Sequence, residues 1–109
     1  MNRPSNKFGN RKTVVDGITF ASAKEARRYG ELKLLERAGE IQGLSLQPRF
    51  PLRVNGKLVC TYVGDFLYVE AADPARDPVV EDAKGFKTPE YKLKAKLFEA
   101  LHGFPIREV

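Results

Sequence analysis

A chain of 109 residues, 30% charged and 42% hydrophobic, is long enough for one domain whose core removes more than roughly 60% of the unfolded surface from water, and too short for a second core. Its formal net charge of +5 favours a polyanionic partner, although mild basicity alone is common among soluble proteins. With Cys60 the only cysteine and His102 the only histidine, an intramolecular disulfide, a four-thiolate zinc centre, a histidine metal site and a histidine-based triad are excluded.

Residues 1–12 place Arg3, Lys7, Arg11 and Lys12 among Asn, Ser, Pro and Gly, a composition that does not pack and is expected to form a flexible basic arm. Two readings of the arm stand level: contact with a phosphate backbone, or a solvated tail. It has no apolar stretch, so neither a signal peptide nor a membrane span is expected, and the setting implied is reducing and cytoplasmic. Residues 13–109 are expected to form a single domain.

Thr13 to Phe20 has apolar runs on either side of Asp16-Gly17, which predicts a small hairpin. Ser22-Ala23-Lys24-Glu25 is a capping box that opens a helix with an apolar stripe of Ala26, Tyr29, Leu32, Leu35 and Ala38, ending at Gly39. Glu25 has two competing roles there. Its carboxylate can reach back to the Ser22 amide, or it can point outward as a ligand to a cation.

Strands are expected at Leu44 to Gln47 and Phe50 to Val54, with Pro48 and Pro51 marking an edge or a bulge. An Asn55-Gly56 turn then leads into a long strand through Val59 to Val69. Asp65 lies within that run, where a carboxylate beside Val63, Phe66 and Leu67 is costly unless a positive group compensates it. Gly64 beside it suggests a bulge or a close backbone approach. After a polar loop with Asp73-Pro74 and Asp77-Pro78, a strand from Val79 to Lys84 carries Glu81-Asp82-Ala83-Lys84. Alternation turns Asp82 and Lys84 to one face, roughly 6.6 Å apart, and Glu81 and Ala83 to the other. An ordinary cross-strand ion pair of Lys84 with Asp65 or Asp82 would account for these residues. Two acids around one lysine leave a negative charge over, which a divalent cation shared by Asp65 and Asp82 would neutralise.

Thr88 and Pro89 fit the cap and first position of a second helix carrying Tyr91, Leu93, Leu97, Phe98 and Leu101, with Gly103 at its end and His102 as a cap or solvated residue. Lys87, Lys92, Lys94 and Lys96 crowd this helix directly after the acids. A solvated lysine face and contact with phosphates both explain them. Residues 105–109 are expected to form a short last strand, and Cys60 reads as core filler.

The order of helix, three strands with Asp65 on the third, a strand with Asp82-Ala83-Lys84, helix and strand resembles the core of the PD-(D/E)xK nuclease superfamily. More narrowly, Asp16-Gly17-Ile18-Thr19-Phe20, Ser22, Lys24-Glu25-Ala26-Arg27-Arg28-Tyr29, Leu46-Gln47-Pro48, Asp65-Phe66 and Glu81-Asp82-Ala83-Lys84-Gly85-Phe86-Lys87-Thr88 resemble a family of small bacteriophage proteins placed in that superfamily. The resemblance covers nearly everything from Lys12 onward. It implies an α/β, restriction endonuclease-like αβββαβ core: a mixed central sheet flanked by two helices, preceded by the hairpin. It also implies that Asp65, Asp82 and Glu25 bind Mg²⁺ or Mn²⁺, and that Lys84 is the lysine of the motif. Gly64 stands where the signature has proline. Whether Glu81 or Asp82 is the ligand is decided by spacing to Lys84, in favour of Asp82.

The function expected is therefore metal-assisted hydrolysis of a phosphodiester, with Glu25, Asp65, Asp82 and Lys84 as the catalytic set and Arg11, Lys12, Lys87, Lys92, Lys94 and Lys96 as contacts to nucleic acid. The substrate expected is DNA, branched, nicked or at a junction, in phage replication or recombination inside the bacterial host. No separate reading module is visible in so short a chain, and a homodimer would suit cleavage of two strands. A non-catalytic DNA-binding or assembly protein on the same fold is the alternative, and an RNA-directed nuclease a third. Nothing in the residues separates DNA from RNA.

Overall fold

The computed structural model describes residues 12–109. The basic arm, Arg11 included, lies outside the described residues except for Lys12, which is exposed. Strands β1 (Thr13–Val15) and β2 (Ile18–Phe20) pair antiparallel. The turn between them places Asp16 and Gly17 at φ of 54° and 75°, the positive pair that matches strand twist and that Asp-Gly adopts readily.

Helix α1 (Ala23–Arg37) starts where Ser22 Oγ accepts the Glu25 amide at 3.1 Å. It buries Glu25, Ala26, Tyr29 and Leu32. Leu35 and Ala38, expected on the same stripe, are exposed. The chain reverses at Gly39, and Ile41, arriving on β3 (Ile41–Leu46), fills the core beside Leu32 instead.

The remaining elements are β4 (Arg49–Val54), β5 (Lys57–Val63), β6 (Phe66–Glu70), β7 (Val79–Asp82), α2 (Pro89–His102) and β8 (Arg107–Glu108). The fold is mixed α/β. A four-stranded sheet of order β3-β6-β7-β8 is antiparallel except for the parallel β7 and β8 pair, and β4 and β5 form a separate two-stranded ribbon. Pro51 sits within this ribbon, close to a register shift between Leu52 and Arg53, as its inability to donate to a ladder requires.

The long strand expected over Val59 to Val69 is in fact two strands belonging to different sheets. The break at Gly64-Asp65 is a change of hydrogen-bonding partner: the Gly64 amide donates to Pro48 O at 3.0 Å, whereas the Asp65 amide donates to Glu81 O at 2.9 Å. A Cβ at Gly64 would stand 3.1 Å from Val80 Cγ1, so the close approach expected there is made by a side chain of β7 and not by backbone. The strand expected to reach Lys84 ends at Asp82.

The single core expected is instead two clusters, one on each face of β7, as alternation along that strand divides them. Val79 joins Phe20, Tyr29, Leu32, Phe66 and Tyr68 on the α1 side. Val80 joins Leu52, Tyr62, Tyr91, Phe98 and Ile106 between α2 and the ribbon. Cys60 packs against this second core, and the His102 ring lies 4.4 Å from that of Phe98. Leu93 and Leu101, expected as apolar contacts of α2, are exposed, because the ribbon and sheet cover only the Tyr91 and Phe98 face. Among the described residues no helix is long and apolar enough to cross a membrane.

Candidate active site

The corner between β5 and β6 brings the acids together. Asp65 stands one residue before β6, where its main chain makes the last ladder bond to β7 and its carboxylate makes what would be the next one. Asp65 Oδ2 accepts the Ala83 amide at 2.7 Å. This fixes the carboxyl at the end of the sheet, in side-chain contact with Asp82. Glu25, projecting from the first turn of α1, meets the same carboxyl from the other layer.

Glu81 and Asp82 part company as alternation dictates. Glu81, fully buried, is gripped by the Arg28 fork, with Nε to Oε1 at 2.8 Å and Nη2 to Oε2 at 2.6 Å, and also accepts from the Tyr68 hydroxyl. Its carboxylate is thus committed to docking α1 on the sheet. Asp82 is 1% exposed and faces the opposite layer, where Tyr62 donates to Oδ2 at 2.6 Å. Its Oδ1 has no hydrogen-bond donor among the described residues; the nearest cation is Lys84 Nζ at 3.4 Å. Lys84 in turn lies 4.9 Å from the centre of the Tyr91 ring, a placement that favours a cation over an aromatic face. Tyr91 is itself held by its hydroxyl, which donates to Glu108 Oε2 at 2.9 Å.

Glu25, Asp65, Asp82 and Lys84 line one cavity of about 170 Å³, together with Ser22, Ala83, Gly85, Phe86 and Thr88. The crowding of like charges is visible in the proton affinities. Burial, and then the charges of Asp82 and Glu25, raise the Asp65 carboxyl from 3.8 to about 7, against the opposing pull of the Ala83 amide. Glu25 is also raised, first by burial, while the Ala21 amide and Asp65 lower it. Its carboxylate therefore meets the Ala21 amide, one residue before the capping partner expected, and faces Asp65 at the same time. Burial, reinforced by Asp82, pushes the Tyr62 and Tyr91 hydroxyls well above their ordinary value, so both remain protonated donors at neutral pH.

Among the described residues no three Asp, Glu, His or Cys side chains are gathered as a ready ligand set. The carboxyls of Glu25, Asp65 and Asp82 are nonetheless close enough to interact, with Asp65 meeting both of the others. The donors are all carboxylate oxygens, the chemistry that suits Mg²⁺ or Mn²⁺ over softer metals. A buried Asp82 Oδ1 without a donor is costly unless a positive group faces it. Lys84 Nζ already supplies one such charge at 3.4 Å, and the three carboxyls have the donor chemistry to take an ion as well.

Of the basic residues expected to touch nucleic acid, Lys87 is tied to Glu108 at 2.6 Å and Lys94 to Glu90 at 3.3 Å, one turn away on α2. Lys92 and Lys96 are exposed without an ion-pair partner among the described residues. Lys94 and Lys84 share the wall of a second groove, of about 240 Å³, with Thr61, Tyr62, Val63, Thr88, Glu90 and Tyr91. Tyr62 and Tyr91 are the residues of this region that sequence reasoning missed. Each resembles an ordinary core aromatic until the ribbon folds back over the end of β7.

Neither a curated protein nor a solved structure matches the chain. Residues 5–105 match the family described as "Protein of unknown function (DUF1064)", and on a match of that extent the chain belongs to this family.

Proposed function

We propose that the chain is a divalent-metal-dependent DNA endonuclease of the PD-(D/E)xK type, as its resemblance to that superfamily and to a family of small bacteriophage proteins placed in it implies, acting on branched, nicked or junction DNA. The observation that carries this reading is one cavity lined by Glu25, Asp65, Asp82 and Lys84, with Asp82 Oδ1 buried, 3.4 Å from Lys84 Nζ and without a hydrogen-bond donor among the described residues. Asp65, Asp82 and Glu25 would hold Mg²⁺ or Mn²⁺. When bound, such an ion supplies a Lewis acid that polarises the scissile phosphate and lowers the pKa of water.

The chain's own groups do the rest. Tyr62 pins one Asp82 oxygen and the Ala83 amide pins one Asp65 oxygen, which fixes the orientation of both carboxyls beside the cavity they line. Lys84 is half-buried at the mouth. Its ammonium would meet a non-bridging phosphate oxygen, orient the attacking water and offset the charge that grows on phosphorus. A symmetric homodimer belongs to the same reading, since it would present two such sites to two strands.

Cleavage of duplex, nicked, flap, junction and RNA substrates with Mg²⁺ or Mn²⁺, against a chelator control, tests this reading. Cutting of DNA should require the metal and fall at least about a hundredfold in Asp82→Asn and Lys84→Met, with thermal melts confirming that both variants fold. DNA binding in chelator with no metal-dependent cutting of any substrate would reject the enzyme in favour of a non-catalytic DNA-binding protein. Cutting confined to RNA would reject the substrate.

A further inference from the structure

The ribbon of β4 and β5 has a face left exposed among the described residues. Its inner face, with Phe50, Leu52, Cys60 and Tyr62, packs on α2 and β7. The outer face carries Arg49 opposite Val63, Pro51 opposite Thr61, and Arg53 opposite Leu58, with Lys57 at the hairpin tip. Arg49, Pro51, Arg53, Lys57, Leu58, Val59 and Val63 are all exposed. From Gly43 to Gly64 the sequence has no Asp or Glu, against three cations. None of Arg49, Arg53 and Lys57 has an ion-pair partner among the described residues, as is also true of Lys92 and Lys96 on α2.

This face also leads into the candidate site. Thr61 and Val63, the cross-strand neighbours of Pro51 and Arg49, line a groove together with Lys84. Lys84 and Thr88 then line the cavity of the acids. We propose that the β4 and β5 ribbon is the duplex-binding arm of this protein, and that its outer face lies along the major groove of B-form DNA with Arg49 and Arg53 on the flanking phosphates. Arg49 and Arg53 are four residues apart on one strand face, roughly 13 Å at the antiparallel rise. With the ribbon along the groove, that spacing lets each arginine reach a different phosphate on its border, and a major groove about 12 Å wide admits a two-stranded ribbon, whereas the deep, narrow major groove of A-form RNA does not. The register shift between Leu52 and Arg53 adds the twist that lets a ribbon follow a groove.

This assignment rests on the nuclease reading for its biological meaning but is measured separately, as binding in chelator. Arg49→Gln/Arg53→Gln is compared with Arg27→Gln/Arg37→Gln, which removes the same charge from exposed positions of α1. The probes are a DNA duplex, the matching single strand and the matching RNA duplex, titrated over a range of salt. The ribbon pair should weaken duplex DNA binding at least about tenfold and lower the slope of log K against log salt by about 1.8, the release expected for two phosphates. The α1 pair should change neither, and melting of both variants should match the parent. Equal weakening by the two pairs would reduce the effect to net charge and overturn the proposal. An unchanged ribbon variant, or equal losses on single-stranded DNA or duplex RNA, would overturn it as well. If the ribbon result holds while no substrate is cut, the arm stands and the nuclease reading falls.

Discussion

At the scale of single residues, the orientation of Asp82 depends on a hydroxyl. Tyr62 is 2% exposed and donates to Oδ2 at 2.6 Å; without it that oxygen would be buried with no donor, as Oδ1 already is. Tyr62→Phe keeps the ring that packs on Tyr91 and Phe98 and removes only the donor. The unfolding free energy should fall by about 1–3 kcal/mol, read as a lower urea midpoint at unchanged slope. An unchanged midpoint would mean that the hydroxyl does not support Asp82. Glu81, one residue earlier, shows why adjacent carboxylates take different roles: alternation sends it to α1, where Arg28 and Tyr68 satisfy both its oxygens and leave none to face the cavity.

At the scale of elements, α1 is fastened to the sheet by that same pair. Removing one partner of a buried ion pair strands the other, so Arg28→Ala should cost about 3 kcal/mol in chemical denaturation. Lysine should rescue it only in part, because one ammonium cannot reproduce a two-pronged contact. Arg28→Met/Glu81→Leu should recover most of the loss. Full rescue by lysine would show that charge alone, and not the fork, holds the helix. What could be read from sequence follows the range of the interactions. The Asp16-Gly17 turn and the Ser22 and Thr88 caps depend on near neighbours and are legible there; Lys84 does meet Asp82, although the strand whose alternation was expected to bring them together stops at Asp82. The division of Val59 to Val69 was not legible, because both halves share the same β-branched and aromatic character, and only the change of partner from Pro48 to Glu81 separates them. Tyr62 and Tyr91 were missed for a related reason: their polar ends meet Asp82 and Glu108, contacts that exist only once ribbon, β7 and β8 are assembled.

For the whole molecule, the crowded carboxyls set how stability changes with pH. Asp65 holds its proton to about 7 in the folded chain, against an ordinary 3.8, and Glu25 is raised in the same direction. Between these limits the folded state binds more protons than the unfolded one, so stability in chelator should fall as pH rises from about 4 to about 7. Glu36 and Glu108 are lowered by their partners, and their contribution, lost only as pH falls below the ordinary 4.5, lies outside that window. Asp65→Asn should flatten the decline and be more stable than the parent near pH 8. Ionised carboxylates are also what a divalent cation binds, so Mg²⁺ or Mn²⁺ at about a hundred times its dissociation constant should restore about 2.7 kcal/mol. Followed by thermal melting, the rise in Tm should be larger near pH 8 than near pH 5, absent in Asp82→Asn, and not reproduced by sodium chloride at equal ionic strength. A rise of the same size at both pH values, or one that survives Asp82→Asn, would place cation binding away from these acids and remove the physical basis for assigning them to phosphodiester hydrolysis.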